Sequence, residues 1–158
     1  MTVEERTREV HPLTLFAPEG ARLLMLGSFP PPRERWRMDF FYPNFQNDMW
    51  RIFGLVFFGD KSHFLTDDGR AFREAELRRF LTERGIAIWD TAMEVSRLQG
   101  NASDKFLEVL RPIDLRQTLA LLPSCRAIAV TGQKALDTLL TLVSAPSPPP
   151  KTGEWTDA

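Results

Sequence analysis

The stretch LLMLGSFPPPRERWRMDFFYPNFQNDMW, residues 23–50, runs an apolar segment into three consecutive prolines, then arginines among aromatics, then an asparagine where a helical pattern begins. Residues 22–29, RLLMLGSF, read as a short apolar strand, and Pro30, Pro31 and Pro32 forbid its continuation as a central strand because proline donates no ladder hydrogen bond. The chain must leave the sheet there. From Asn47 on, NDMWRIFGLVFF spaces Trp50, Phe53 and Phe57 as one apolar helix face, so Trp50 and Phe53 belong to the core and Phe57 extends that face.

Working outward, GDKSHFLTDDG at 59–69 reads as a loop, and a helix over about 71–84 ends at Gly85. IAIWDTA, 86–92, has the continuous apolar character of a strand covered on both faces. Residues 93–112 contain a loop, QGNASD, in which Ser103 could cap a short helix, DKFLEVL. Asp114 caps a further helix through Leu122, RAIAVTG at 126–132 is a strand, and QKALDTLLTLV is the helix after it. Strands alternating with helices predict a parallel sheet with helices on both faces and right-handed crossovers. Ligands of such sheets bind beyond the carboxyl ends of the strands. Here those ends are GSFPPP, WDTA and TGQKA, and a site is expected where the three meet.

The chain of 158 residues, 43% hydrophobic and 26% charged, has ordinary globular composition. One domain is expected over 1–143, followed by a proline-rich, extended or mobile tail over 144–158. A single cysteine, Cys125, excludes an internal disulfide and a cysteine-ligated metal site made by this chain alone, and is expected to be a small buried apolar residue. The charged start MTVEERTREV lacks a signal-peptide core, and no run approaches the ~18 apolar residues of a membrane span, so a cytoplasmic monomer is expected. The sequon Asn101-Ala102-Ser103 has no glycosylation meaning in that compartment. A net charge of −1 and a pI near 6.1 lack the strong basic excess of a general nucleic-acid binder. Arg33, Arg35 and Arg37 beside Trp36, Phe40, Phe41 and Tyr42 still make a local basic and aromatic cluster, whose plainer reading is a solvated loop over core aromatics.

No phosphate-binding glycine loop, GxGxxG or HExxH motif occurs. His11 and His63 read as surface residues, with no histidine triad and no metal site. Asn47 reads first as a helix N-cap, a role open to Asn44 as well. Asp90, at a strand end, reads first as a turn cap or an internal hydrogen-bonding group.

Four motifs in order, LLMLGSFPPP, FFYPNFQNDMW, GIAIWDTA and AIAVTGQKA, resemble those of the uracil-DNA glycosylase superfamily, in particular its mismatch-specific and hypoxanthine-type branches and related bacterial uracil-DNA glycosylase-like proteins. The resemblance covers about 22–136 and implies a three-layer α/β/α domain with a central parallel sheet. It implies a monofunctional DNA glycosylase that flips uracil or hypoxanthine out of damaged or mismatched DNA and hydrolyses its N-glycosidic bond in base excision repair, with no cofactor. By motif position, Asn47 would position the attacking water, and Gly27, Ser28 and Phe29 would hold the base. Phe29 or Phe41 would stack on the base, and Asp90 would meet its edge. Arg33, Arg35, Arg37 and Lys134 would contact DNA. An ionised Asp90 accepts from a base N–H but repels a uracil carbonyl, which admits hypoxanthine or another deaminated base. Some branches carry an Asp or Asn where this chain has Phe29, and that role does not transfer. Relatives also continue into a further strand and a Pro-Ser-rich loop that enters the DNA groove. Ser147-Pro148 resembles that loop only superficially, which leaves a catalytically impaired DNA-binding module of the same fold as the alternative.

Overall fold

A computed structural model describes residues 8–97, 107–144 and 149–157. Its centre is a parallel sheet in the order β3-β2-β6, formed by β2 (Leu23–Gly27), β3 (Ile86–Asp90) and β6 (Ala127–Val130). Gly27 pairs with Asp90 and Leu26 with Val130, so the carboxyl ends of all three strands stand side by side. Because side chains alternate across a strand, β2 serves two cores. Met25 faces a cluster holding Trp50 of α1 (Met49–Phe58) and Leu77, Phe80 and Leu81 of α2 (Glu74–Arg84). Leu24 and Leu26 face the opposite cluster, with Leu115 and Leu119 of α3 (Leu115–Ala120) and Leu139 of α4 (Gln133–Leu140). The expected three-layer α/β/α arrangement is therefore present.

The local signals act where the sequence places them. Gly85 ends α2 at a left-handed φ of 71°, and the Asp114 carboxylate caps α3 by accepting from Gln117 N–H at 3.0 Å. Trp50 is fully buried, and its indole N–H donates to the Phe41 carbonyl at 3.0 Å, tying α1 to the aromatic segment before it. Phe57 departs from expectation: it is 39% exposed, at the rim of α1 under the Arg84 guanidinium, because the helix turns its outer face to solvent there. Cys125 is half-buried rather than buried, at the edge of the α3/α4 cluster. In the loop before α2, the Thr66 hydroxyl and then Arg70 N–H donate to Asp68 and hold its carboxyl below the usual carboxylate range.

The segment 93–112 overturns its reading as a loop with a short helix. β4 (Ala92–Arg97) and β5 (Leu107–Pro112) form antiparallel strands, and β1 (Arg8–Val10) pairs on the other edge of β4, giving a second sheet in the order β1-β4-β5. Ala92, Val95 and Leu107 are buried with Phe29, and this tertiary contact overrides the helical leucine spacing of 104–110. Ser103 and the sequon lie outside the described residues. So does part of the tail; its residues 149–157 form no helix or strand, and Trp155 is 87% exposed. Among the described residues no helix is long and apolar enough to cross a membrane.

Gly54 shows how closely the loop after α1 packs on that helix, since a Cβ there would stand 2.4 Å from the Asp60 carbonyl oxygen. Gly→Ala in a helix ordinarily gains about 0.5–1 kcal/mol. Gly54→Ala is expected to lose about 1–3 kcal/mol through this overpacking. Urea unfolding of the two proteins checks it, and a stabilised variant would refute the contact.

Candidate functional site

The proline loop leaves β2 with its backbone held from three directions. Three prolines supply no N–H, so each carbonyl needs an outside donor. Pro30 O accepts from the Arg97 guanidinium at 2.6 Å, Pro31 O from the Trp36 indole at 2.8 Å, and Pro32 O from Arg35 N–H at 2.9 Å. Arg97, in β4, is braced in turn by a bidentate ion pair with Glu9 of β1 and lies over the Phe29 ring. Upstream of the prolines, Gly27 O and Ser28 O accept from Thr91 N–H and Ala92 N–H.

Beside this loop lies a cavity of about 300 Å³ whose walls include Gly27, Ser28, Phe29, Phe41, Asn47 and Asp90. The residues that the sequence nominated for base and water thus share one recess, at the strand ends where a site was expected. Tyr42, Asn44 and Thr131 line it too and were not singled out as ligand-facing residues. Tyr42 holds a left-handed φ of 50°, the one non-glycine residue so placed among those described, and its hydroxyl meets Thr131 Oγ1 at 2.6 Å. Such strain is tolerated where surrounding contacts fix it, commonly at sites of function.

Asp90 is buried, and its Oδ2 lies 2.7 Å from His11 Nε2. The surface reading of His11 is therefore wrong. β1 carries it inward, His11 N–H donates to Met93 O at 2.7 Å, and the ring packs against Trp89 and Phe29. A strand of three residues, two of them charged, offers no periodicity from which this burial could be read. His63 is half-buried and stacks on Phe58, with a ring-centroid separation of 3.7 Å.

Asp48, not Asn47, is the N-cap of α1, and it makes no side-chain capping bond; Asn47, one residue earlier, accepts from Met49 N–H through Oδ1 at 2.8 Å in an Asx turn while also facing the cavity. Arg33, Arg35 and Arg37 are exposed on the single 3₁₀ turn after the prolines and just beyond it. Arg33 is engaged with Asp39 and over Trp36, and the Arg37 guanidinium donates to the Trp36 carbonyl, whereas Arg35 has no ion pair among the described residues. Lys134 lies half-buried in the first turn of α4 and is not part of the cavity wall. No group of three or more candidate metal ligands is clustered among the described residues. A wider recess of about 520 Å³ lies between the 60–67 loop and α2, but its Arg73 and Glu76 are satisfied by Asp67 and Arg79.

No family model matches the chain, and no curated protein does. The fold is shared with a protein from Methanosarcina acetivorans, solved by solution NMR and described as a "putative Uracil DNA glycosylase". The likeness has a TM-score of 0.63 at 22% identity and covers 86% of this chain and 77% of that one. The α/β architecture is thus uracil-DNA glycosylase-like.

A Cβ on Gly27 would stand 2.6 Å from Asp90 Oδ1 and 3.2 Å from the Tyr42 hydroxyl, and both side chains are held, by His11 and by Thr131. Gly27→Ala is expected to lose about 1–3 kcal/mol of stability by overpacking, to displace the Asp90 carboxylate against His11 and to fill the cavity floor. Histidine ¹⁵N NMR checks it: an unmoved His11 signal would show that Asp90 does not sit over Gly27.

Proposed function

We propose that this chain is a cytoplasmic, monomeric, monofunctional DNA glycosylase that extrudes a deaminated base, uracil or hypoxanthine, and hydrolyses its N-glycosidic bond without a cofactor. The observation that carries the reading is that the Asn47 amide, the Gly27–Phe29 loop and Asp90 wall one cavity within a glycosylase-like fold. Its volume of about 300 Å³ lies at the small end of ligand pockets and suits one flat ring system rather than a large ligand.

Cleaving the bond between C1′ and the base nitrogen builds positive charge on the sugar and negative charge on the departing base. The site must therefore offer fixed donors to the base and a held water to the sugar. Ser28 and Phe29 N–H, beyond the last ladder residue of β2, supply donors on a backbone that the prolines and Arg97 keep from moving. Asn47 spends one lone pair of Oδ1 on Met49 N–H and keeps the other, with its N–H₂, for the water. An amide is a weak base, which suits a water that attacks late in a dissociative reaction. Phe29 and Phe41 give the base apolar faces, and Asp90 meets its hydrogen-bonding edge. Arg33, Arg35 and Arg37 lie toward the phosphates, with Lys134 a further DNA contact.

Single-turnover cleavage of duplexes carrying one uracil, hypoxanthine or xanthine tests this reading. Asn47→Ala is expected to slow cleavage about 100-fold through loss of water positioning. It should also lose about 1 kcal/mol of stability with the Met49 hydrogen bond. Asn47→Ser, which keeps an acceptor for Met49 N–H, is expected to recover the stability and not the rate. Wild-type protein that binds an abasic duplex and cleaves nothing would make it the impaired DNA-binding module instead.

Salt dependence of duplex binding tests the arginines separately. Arg35→Ala is expected to reduce the slope of log K against log salt by about 0.9, the loss of one phosphate contact. An unchanged slope would remove Arg35 from the interface.

A further inference from the structure

His11 adds a feature that the motifs do not contain. Its Nδ1 accepts from Leu13 N–H at 3.1 Å, so that nitrogen bears a lone pair. A neutral imidazole with its lone pair on Nδ1 carries its hydrogen on Nε2, which donates to Asp90 Oδ2 at 2.7 Å. An imidazolium would set one N–H against another at Leu13. The His11 side chain is 2% exposed and that of Asp90 8%, so water does not substitute for either bond.

The other oxygen of Asp90 points the opposite way. Oδ1 stands over Gly27, in the same small space as the Tyr42 hydroxyl and Thr131 Oγ1, and Asp90 lines the cavity. Among the described residues no lysine or arginine pairs with Asp90, and the nearby Arg97 is committed to Glu9 and the Pro30 carbonyl.

We infer that His11 is a positioning residue that fixes Asp90 as an acceptor-only group toward the cavity, so that the site takes a base edge presenting a ring N–H. The inference deepens the glycosylase reading and rests on it. Its consequence lies in what deamination does to one ring atom. Cytosine N3 and adenine N1 carry a lone pair, whereas uracil N3 and hypoxanthine N1 carry a hydrogen. A fixed acceptor attracts the second pair and repels the first. Guanine and xanthine both carry N1–H, and this contact cannot separate them. Sites built to receive an N–H reject analogues lacking it strongly, because buried polar groups are then left opposed or unpaired.

The test uses the whole protein labelled with ¹⁵N at histidine and titrated with free uracil, cytosine, hypoxanthine and adenine. The expected result is a His11 Nε2–H tautomer at pH 7 and tighter binding of uracil over cytosine, and of hypoxanthine over adenine, by about 100-fold. His11→Phe removes the donor, and the Asp90 carboxyl is then no longer held with one oxygen aimed at the cavity. Both preferences should then fall to about tenfold or less, a loss of the size expected for one charged hydrogen bond. His11→Gln, whose amide nitrogen can replace Nε2 as donor, should keep them even if His11→Phe folds poorly. An Nδ1–H tautomer, an imidazolium at pH 7, or preferences untouched in a folded His11→Phe protein would overturn the inference. Duplex cleavage is scored separately: selective base binding with no cleavage would sink the glycosylase reading and leave the His11 role standing.

Discussion

The hydrogen bond between His11 and Asp90 is the contact on which the two sheets of this protein depend. A carboxylate buried at the end of β3, with aromatic rings beside its partner, is expensive unless a donor is fixed against it. The donor comes from the antiparallel sheet, which requires β1 to run along β4 and then turn its chain under Trp89 and Phe29. Since β4 begins two residues after Asp90, and Thr91 bonds the Gly27 carbonyl through both N–H and Oγ1, one carboxylate sets the spacing of β1, β3 and the end of β2.

The same sheet stiffens the proline loop. Proline removes donors and leaves carbonyls, so a triple proline turn is rigid in its dihedrals yet unanchored until other residues donate to it. Arg97 anchors the first carbonyl, and Glu9 and the Phe29 ring hold Arg97 in place. A loop held in this way keeps its backbone still when a ligand arrives, which electrostatic stabilisation of a developing charge requires. The antiparallel strands thus act as a buttress for the cavity, and β4 joins the two functions by carrying Arg97 at one end and following Asp90 at the other.

This division of labour explains what the sequence made legible. β2 and β3 are readable because burial on both faces gives continuous apolar runs, β6, a partly buried edge strand, by its short apolar run before Gly132, and Gly85 and Asp114 mark helix ends by conformation and hydrogen bonding. With those strands placed, Gly27, Ser28, Phe29 and Asp90 follow, since strand ends in one parallel sheet must meet. The buttress was not readable. β1 has three residues, and β5 was mistaken for a helix because LEVL satisfies either period over so short a length. His11 was lost with β1. Tyr42 and Thr131 were missed for another reason: their convergence over Gly27 depends on a left-handed residue at 42, a conformation that tyrosine does not advertise.

Asn47 shows that a structural role and a chemical one need not compete. An unanchored side-chain amide can rotate by half a turn and exchange its donor and acceptor faces. Here Met49 N–H bonds the amide oxygen and not its nitrogen, so this bond decides which face of the amide is oxygen and holds the side-chain torsions that aim the rest of the group. Arg51, which donates to the Asn47 and Phe45 carbonyls, holds the backbone beneath it. A group used to orient one water gains from such restraint, because the entropy of ordering it has already been lost in folding. The bond from Met49 N–H is thus what would make the Asn47 amide an oriented group instead of a mobile one.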